Sequence, residues 1–410
     1  MTKSGASPGN RRTGLGSTTK LPVQKIREVM PRYSNFAKNL LITLLSTLFG
    51  LIVCFAIVEV IPLSGNATVK FDAGKNADGV DYLDLCAHGP CAHPGVFHPH
   101  EKVVRPGQAD ETIYDVTYTI DSDHSRLAAI GSKSSKPGIA VNFFGGSFMF
   151  GEGLNDDQTI PYFFTRFVPG TTVKNYGFHG HGVHNSLKLL DDGKVAPAQI
   201  QIIMTGAYHA PRASCGKDYT MNHPSYRLKS NGKRQSEYVS RCSERGPDEL
   251  RAINQTGFDA LYDNYLSKLK LSKLLFNPVR EAYTPKQMDL YAAVLSDFRQ
   301  LSEERNATPV VMYLKEPWRR LLALPDYADP MPEKLDEEGY SWVDVSLAPN
   351  FRNVPRQYYL HKLNKHPSAL ANCLRTRLLV DYLVRINKVS NASVNNDYAC
   401  ADQTASSTRN

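Results

Sequence analysis

The sequence predicts an α/β protein: a parallel sheet covered by helices on both faces, preceded by an N-terminal transmembrane helix. Two observations predict the sheet. Four apolar β-prone runs, Ala140 to Phe144, Thr171 to Asn175, Ile200 to Gly206 and Pro309 to Leu314, are separated by lengths suited to crossover connections. The first of them ends in two glycines and Ser147, after which Asp156, Asp157 and Gln158 open an expected helix, so the order is strand, tight turn, serine, loop, helix. The third observation is Asn39 to Val58, twenty residues without a charge. At about 1.5 Å per residue such a helix matches the hydrocarbon thickness of a bilayer.

At 410 residues, 41% of them hydrophobic and 21% charged, the chain has room for one large folded domain with appendages. Its formal net charge of +8 raises the question of nucleic acid. Eight basic residues against Glu28 lie between Met1 and Lys38, however, so seven of those eight net charges precede the apolar run. The rest is nearly neutral, which argues against a nucleic-acid surface on the main domain. The same bias places residues 1–38 in the cytoplasm and everything after the span outside, in the periplasm if the cell is Gram-negative. A cleaved signal peptide is the rival reading, against which stand the length of the run and the lack of a clear small-x-small site before Pro62.

Cysteine usage fits that topology. Cys54 lies in the span, and Cys86, Cys91, Cys215, Cys242, Cys373 and Cys400 make an even set beyond it. Cys86 and Cys91, in CAHGPC, are the easiest local pair. His88, His93, His98 and His100 nearby raise zinc, but the spacing matches no strong zinc signature and an oxidising compartment favours a disulfide. No cofactor or metal is expected.

In order, residues 1–38 read as a basic tail, 39–61 as the transmembrane helix, and 62–112 as a linker or stalk running into an irregular Cys/His-rich cap. Residues 113–390 form the main domain and 391–410 a polar tail, in which Cys400 is a candidate for being tied back. Ile113 to Ile120 alternates with the period of a half-buried strand. Cys215 to Arg245 is a polar excursion stapled by its two cysteines, and Phe258 to Phe276 is an expected helix, either a lid or a solvated extra; the excursion or lid spans 215–285. Thr284 as cap and Pro285 at the first position begin a helix with Met288, Tyr291, Leu295 and Phe298 inward. Ala371 to Ile386 is the last helix, with Leu374, Leu378, Tyr382 and Ile386 expected on its buried side.

Ser147 alone is weak evidence for catalysis, because an unactivated hydroxyl is a poor nucleophile. The turn lacks the Gly-Lys-Ser/Thr ending of a phosphate loop and the spacing of a dinucleotide fold. Met149 stands where a Gly-x-Ser-x-Gly elbow needs glycine. GGSFMFGEG instead resembles the first block of the SGNH (GDSL-like) hydrolases, with Gly146 in place of the usual Asp. YDVTYTID, Tyr114 to Asp121, resembles a segment of the bacterial membrane-anchored members. NYGFHG, Asn175 to Gly180, is similar to the second block, and HKLNKHPSALANCL, with His366-Pro367 before the final helix, to the last.

That resemblance implies a flavodoxin-like sheet with Ser147 as nucleophile and His366 as general base. It also implies an oxyanion hole built from the Ser147 and Gly180 backbone N–H groups. An Asp two or three residues before the histidine would orient it, yet those positions hold Asn364 and Leu363. Asn364 can fix the tautomer without supplying charge, and Asp344, after the fourth strand in YSWVDVS, is the distant substitute. The third block is degenerate: the side-chain donor falls on Tyr208, or on His209, whose HAPR context with Arg212 resembles a His-x-x-Arg variant. The implied function is serine-dependent ester hydrolysis through an acyl-enzyme, on O-acyl groups of envelope glycans or on lipids. Acyl transfer at the same site, or an inactive fold that binds glycan or scaffolds a complex, are the alternatives.

Overall fold

The computed structural model describes residues 36, 38–53, 67–83, 93–128, 138–216, 223–230, 235–254, 283–315, 329–347 and 355–400. The chain divides into two units, Met1–Pro62 and Leu63–Asn410. In the first, residues 38–53 are helical and their apolar side chains, from Leu40 to Val53, are exposed. Among the described residues no helix is long and apolar enough to cross a membrane. Residues 54–61 of the expected span, the Cys86–Cys91 pair and the expected helix at 258–276 lie outside the described residues.

The second unit is built on a five-stranded sheet. Its strands are β1 (Ala140–Gly145), β2 (Thr172–Asn175), β3 (Ile200–Thr205), β4 (Thr308–Tyr313) and β5 (Trp342–Asp344). They lie in the order 2-1-3-4-5, every neighbouring pair parallel. All six residues of β3 are buried, as expected of a strand covered on both faces. The period of two sends adjacent side chains to opposite layers. Phe143 packs with Phe163, Phe164, Leu379 and Leu383 on one face. Phe144 packs with Leu187, Tyr291, Leu295 and Phe298 on the other. The first layer belongs to α1 (Ile160–Phe167) and α4 (Ala369–Arg385), the second to α2 (Val183–Asp191) and α3 (Pro285–Glu304). Each buried Phe or Leu contributes roughly 1.5–3 kcal/mol by leaving water, so these two layers hold the sheet.

Helix α3 begins where its cap predicts. The Thr284 hydroxyl accepts from the Gln287 N–H and the Gln287 side chain accepts from the Thr284 N–H, a reciprocal capping box. Met288, Tyr291, Leu295 and Phe298 are buried as expected. The last helix meets expectation in part: Tyr382 is buried, but Leu378 is 38% exposed, whereas Cys373, Leu379, Val380 and Leu383 are buried. Polar residues turn it. Asn372 donates to the Gln158 carbonyl, Thr376 to that of Ile160 and Arg375 to that of Val345, all from the inward face.

Residues expected as linker and irregular cap carry regular structure. Thr68–Asp72, His100–Val104 and Glu111–Asp115 form an antiparallel sheet, and Gly95–Phe97 pairs with Tyr118–Ile120. Their aromatic side chains Tyr82, Phe97 and Tyr118 pack with Phe150 and Phe178 of the main domain. β5 is a fifth strand not anticipated, being three half-buried residues without an apolar run. Disulfides join Cys215 to Cys242 and Cys373 to Cys400, stapling the excursion and tying back the tail.

Candidate active site

β1 ends at Gly145, whose φ of +153° suits only glycine. At Gly146 the limit is space: a Cβ there would stand 2.8 Å from the His181 carbonyl oxygen and 2.7 Å from Arg212 Nη1. The Asp usual in the block that this turn resembles has no room, because Arg212 and the His181 carbonyl already fill it. Ser147 then opens a single helical turn to Phe150, mostly buried at the carboxyl end of β1. In a sheet of order 2-1-3-4-5 this is the topological switch point, where neighbouring connections run to opposite faces and leave a crevice.

Three side chains fix the turn. Asn175, at the end of β2, donates from Nδ2 to the Met149 carbonyl (3.1 Å) and accepts the Gly177 N–H at Oδ1 (3.0 Å). Arg126, 1% exposed, pairs with Asp156 at 2.9 Å and donates to the Phe150, Gly151 and Leu154 carbonyls. Its guanidinium lies 4.2 Å from the Tyr118 ring centroid and 4.7 Å from that of Phe150. The Tyr118 hydroxyl accepts the Gly153 N–H (2.7 Å). Tyr118, in the Tyr114 to Asp121 segment, and Arg126, just after it, thus support the serine loop.

His366 arrives on a hairpin of Tyr359–His361 and Asn364–Pro367, just before α4. Its Nε2 is 2.9 Å from Ser147 Oγ and its Nδ1 2.7 Å from Asn364 Oδ1. Asn364 Oδ1 also accepts the His366 backbone N–H (3.0 Å), which identifies that atom as the oxygen. An amide oxygen only accepts, so Nδ1 carries the ring proton and Nε2 is left to accept from the serine hydroxyl. This is the tautomer a general base needs. Asp344 is engaged elsewhere, with Lys315 at 2.8 Å and the Ser346 N–H at 2.9 Å, and does not replace Asn364.

Two carboxylates that sequence reasoning missed complete the surroundings. Glu101, on the antiparallel sheet, accepts from Asn364 Nδ2. Glu152, 6% exposed, lies 3.6 Å from His366 Nε2 and 2.5 Å from His179 Nδ1. Burial opposes its ionisation, but His366 and the His179 hydrogen bond outweigh that and hold its carboxyl down to about 2. Burial lowers the pKa of His366, an effect Glu152 partly offsets while His179 and Arg212 add to it. Glu152 stands five residues after Ser147 in the first block, and an acid between two glycines there was the available signal.

His209 is fully buried after β3. Its Nδ1 is 2.9 Å from Thr205 Oγ1, itself 2.9 Å from the Tyr291 hydroxyl. Both hydroxyl protons are satisfied only if Tyr291 donates to Thr205 and Thr205 to Nδ1, which puts the ring proton of His209 on Nε2. Burial, then Arg212 and His181, keep the ring neutral. Nε2 has no partner among the described residues and lies 3.4 Å from the place of a Cβ on Gly146. It is therefore an N–H donor next to Gly146, the residue before Ser147. Tyr208 packs its ring near Phe148 (6.1 Å) and His209 (4.4 Å). Gly180, with φ +71°, lies in the turn whose next carbonyl, His181, abuts Gly146.

Nucleophile after β1, asparagine clamp after β2, and histidine before the last helix all converge on one crevice. The fold is SGNH-like. No protein-family model and no curated protein matches the chain. Solved structures do. One is a protein assigned to the lipolytic G-D-S-L family from Desulfitobacterium hafniense DCB-2 (12% identity, 60% of this chain, 100% of that one, TM-score 0.35). Another is a G-D-S-L family member from Veillonella parvula DSM 2008 (10%, 60% and 100%, TM-score 0.31). A third is an acetyl xylan esterase from the rumen bacterium Butyrivibrio proteoclasticus (10%, 70% and 75%, TM-score 0.31). At such identities the likeness is loose and of fold only; the chemistry of the SGNH-like domain rests on the contacts around Ser147.

Proposed function

We propose that this chain is a serine-dependent acyl-ester hydrolase. The carrying observation is the unbroken hydrogen-bonded line Ser147–His366–Asn364, with the ring proton on the correct nitrogen. Ser147 Oγ attacks the ester carbonyl as its proton passes to His366 Nε2. The oxyanion is held by the Ser147 and Gly180 N–H groups and by His209 Nε2–H, each such donor being worth about 2.7–4 kcal/mol in a dry site. His366 returns the proton to the leaving alcohol. Water, deprotonated by the same nitrogen, then releases the acid; another hydroxyl in its place makes the reaction an acyl transfer.

A purified sample should react with a fluorophosphonate at Ser147 and cleave short acyl esters. Ser147→Ala or His366→Ala should each lower the rate on the order of a thousandfold or more, since such residues act as a unit. Unaltered labelling and unaltered envelope acylation in a folded Ser147→Ala protein would leave only the binding or scaffold reading.

For the setting, we propose a single-pass membrane protein with its domain outside the cell membrane and O-acyl groups of envelope glycans, or lipids, as substrate. Supporting this are the basic residues before Asn39, the exposed apolar helix at 38–53, and two disulfides, bonds that persist in oxidising compartments.

A further inference from the structure

Asn364 occupies the place of a carboxylate, and an amide cannot steady an imidazolium by charge. Its outer end does not face solvent. Asn364 is 8% exposed, and Nδ2 donates to Glu101 Oε2, on a strand from outside the central sheet. An ionised carboxylate accepts only, so it requires the NH2 side of the amide. That choice turns Oδ1 toward His366, fixes the proton on Nδ1 and leaves Nε2 basic. The hairpin is bound to the same sheet a second time, His361 Nε2 lying 2.9 Å from Glu111 Oε1.

We propose that Glu101 is the charged end of the catalytic line, a positioning residue that adds through Asn364 a negative charge on the Nδ1 side of His366, opposite Glu152, which lies 3.6 Å from Nε2. The proposal rests on the hydrolase reading of Ser147 and His366. When His366 takes the serine proton, the Nδ1–H···Oδ1 and Nδ2–H···Oε2 bonds are polarised in the same sense, so the carboxylate's charge is felt at the imidazolium. The other charged or titratable groups facing His366 are Glu152, His179 and Arg212, and those facing Glu101 are Glu152 and His361. Burial, and after it Glu152, raise the pKa of Glu101, while the Asn364 hydrogen bond and His361 oppose this in part.

The outer bond permits a reciprocal exchange. Glu101→Gln keeps an acceptor for Nδ2 but removes the charge. Asn364→Asp alone sets two carboxylates in contact, which must share a proton or part. Asn364→Asp with Glu101→Gln reverses the outer bond and moves the charge one residue inward. The experiment measures the rate of fluorophosphonate inactivation against pH in the full-length protein, with thermal melting as the control for folding and the imidazole NMR titration of His366 alongside.

In Glu101→Gln the rate should fall about tenfold, a part of the roughly 10²–10⁴ that a general base contributes. The His366 titration should move to lower pH, because the imidazolium has lost a stabilising charge. In Asn364→Asp the rate should fall away as pH rises through the ionisation of the pair. In the double variant that fall should vanish and the rate should return at least to wild type. Wild-type behaviour of Glu101→Gln in both rate and His366 titration, with wild-type labelling normal, overturns the relay while leaving the hydrolase intact. So does a double variant no better than Asn364→Asp. If the wild-type protein does not label at all, the hydrolase reading fails instead, and the His366 titration still decides whether Glu101 acts on the ring.

Discussion

At the scale of single residues, the departures from the family pattern explain one another. Gly146 replaces an Asp because Arg212 and the His181 carbonyl occupy the space a side chain would need. Asn364 replaces an Asp where Glu101 waits behind it. The ring orientation of His209 is set by Thr205 and Tyr291. A prediction follows for Gly146→Asp, which restores the commonest form of the first block. It should lower fluorophosphonate labelling at least a hundredfold, about the loss of one oxyanion donor, because a backbone carbonyl cannot yield as a flexible side chain does. Measured labelling within twofold of wild type would show that the 181 turn gives way freely. None of these compensations is visible in the blocks themselves, since Arg212, Glu101 and Thr205 are distant or degenerate in sequence.

At the scale of elements, the loop after Ser147 is held less by its own helical turn than by the segment 111–128. Arg126 gives its donors to three carbonyls of that loop and its charge to Asp156, with both partners of the pair nearly out of water. Removing one member of a buried pair leaves the other uncompensated, at about 3–5 kcal/mol. Arg126→Leu should therefore lower unfolding stability in urea by about that amount. It should also slow labelling of Ser147 under conditions where the protein remains folded. A change below about 1 kcal/mol, the scale of an exposed pair, would mean that the loop is held by other contacts. The Tyr114 to Asp121 stretch was legible as a strand from its alternation, and Tyr114, Val116, Tyr118 and Ile120 are all buried. Its break into two strands with different partners was not, because alternation reports which face is buried and not which neighbour is paired.

At the scale of the whole molecule, the active site is shared between the α/β sheet and the antiparallel sheet that precedes it in sequence, since Glu101 and Glu111 each grip the histidine hairpin. The proposed orientation has its own test. Protease added to intact spheroplasts should remove the domain while sparing residues 1–38, whereas complete protection of the domain would reject the outward orientation.

The sequence by itself determined the parallel sheet, the turn that carries Ser147, and the cap and inward face of α3. These are local patterns: strand and helix periods, turn glycines and a short run before a helix each state their geometry within about twenty residues. Tertiary structure alone decided what stands around them. It rotated α4 by hydrogen bonds to carbonyls hundreds of residues away, set Asn364 rather than Asp344 against His366, left His209 Nε2 without a partner among the described residues, and brought Glu101 to within a hydrogen bond of a residue 263 positions later. Charge and hydrogen-bond partners are properties of place in three dimensions, and a single sequence carries no local trace of them.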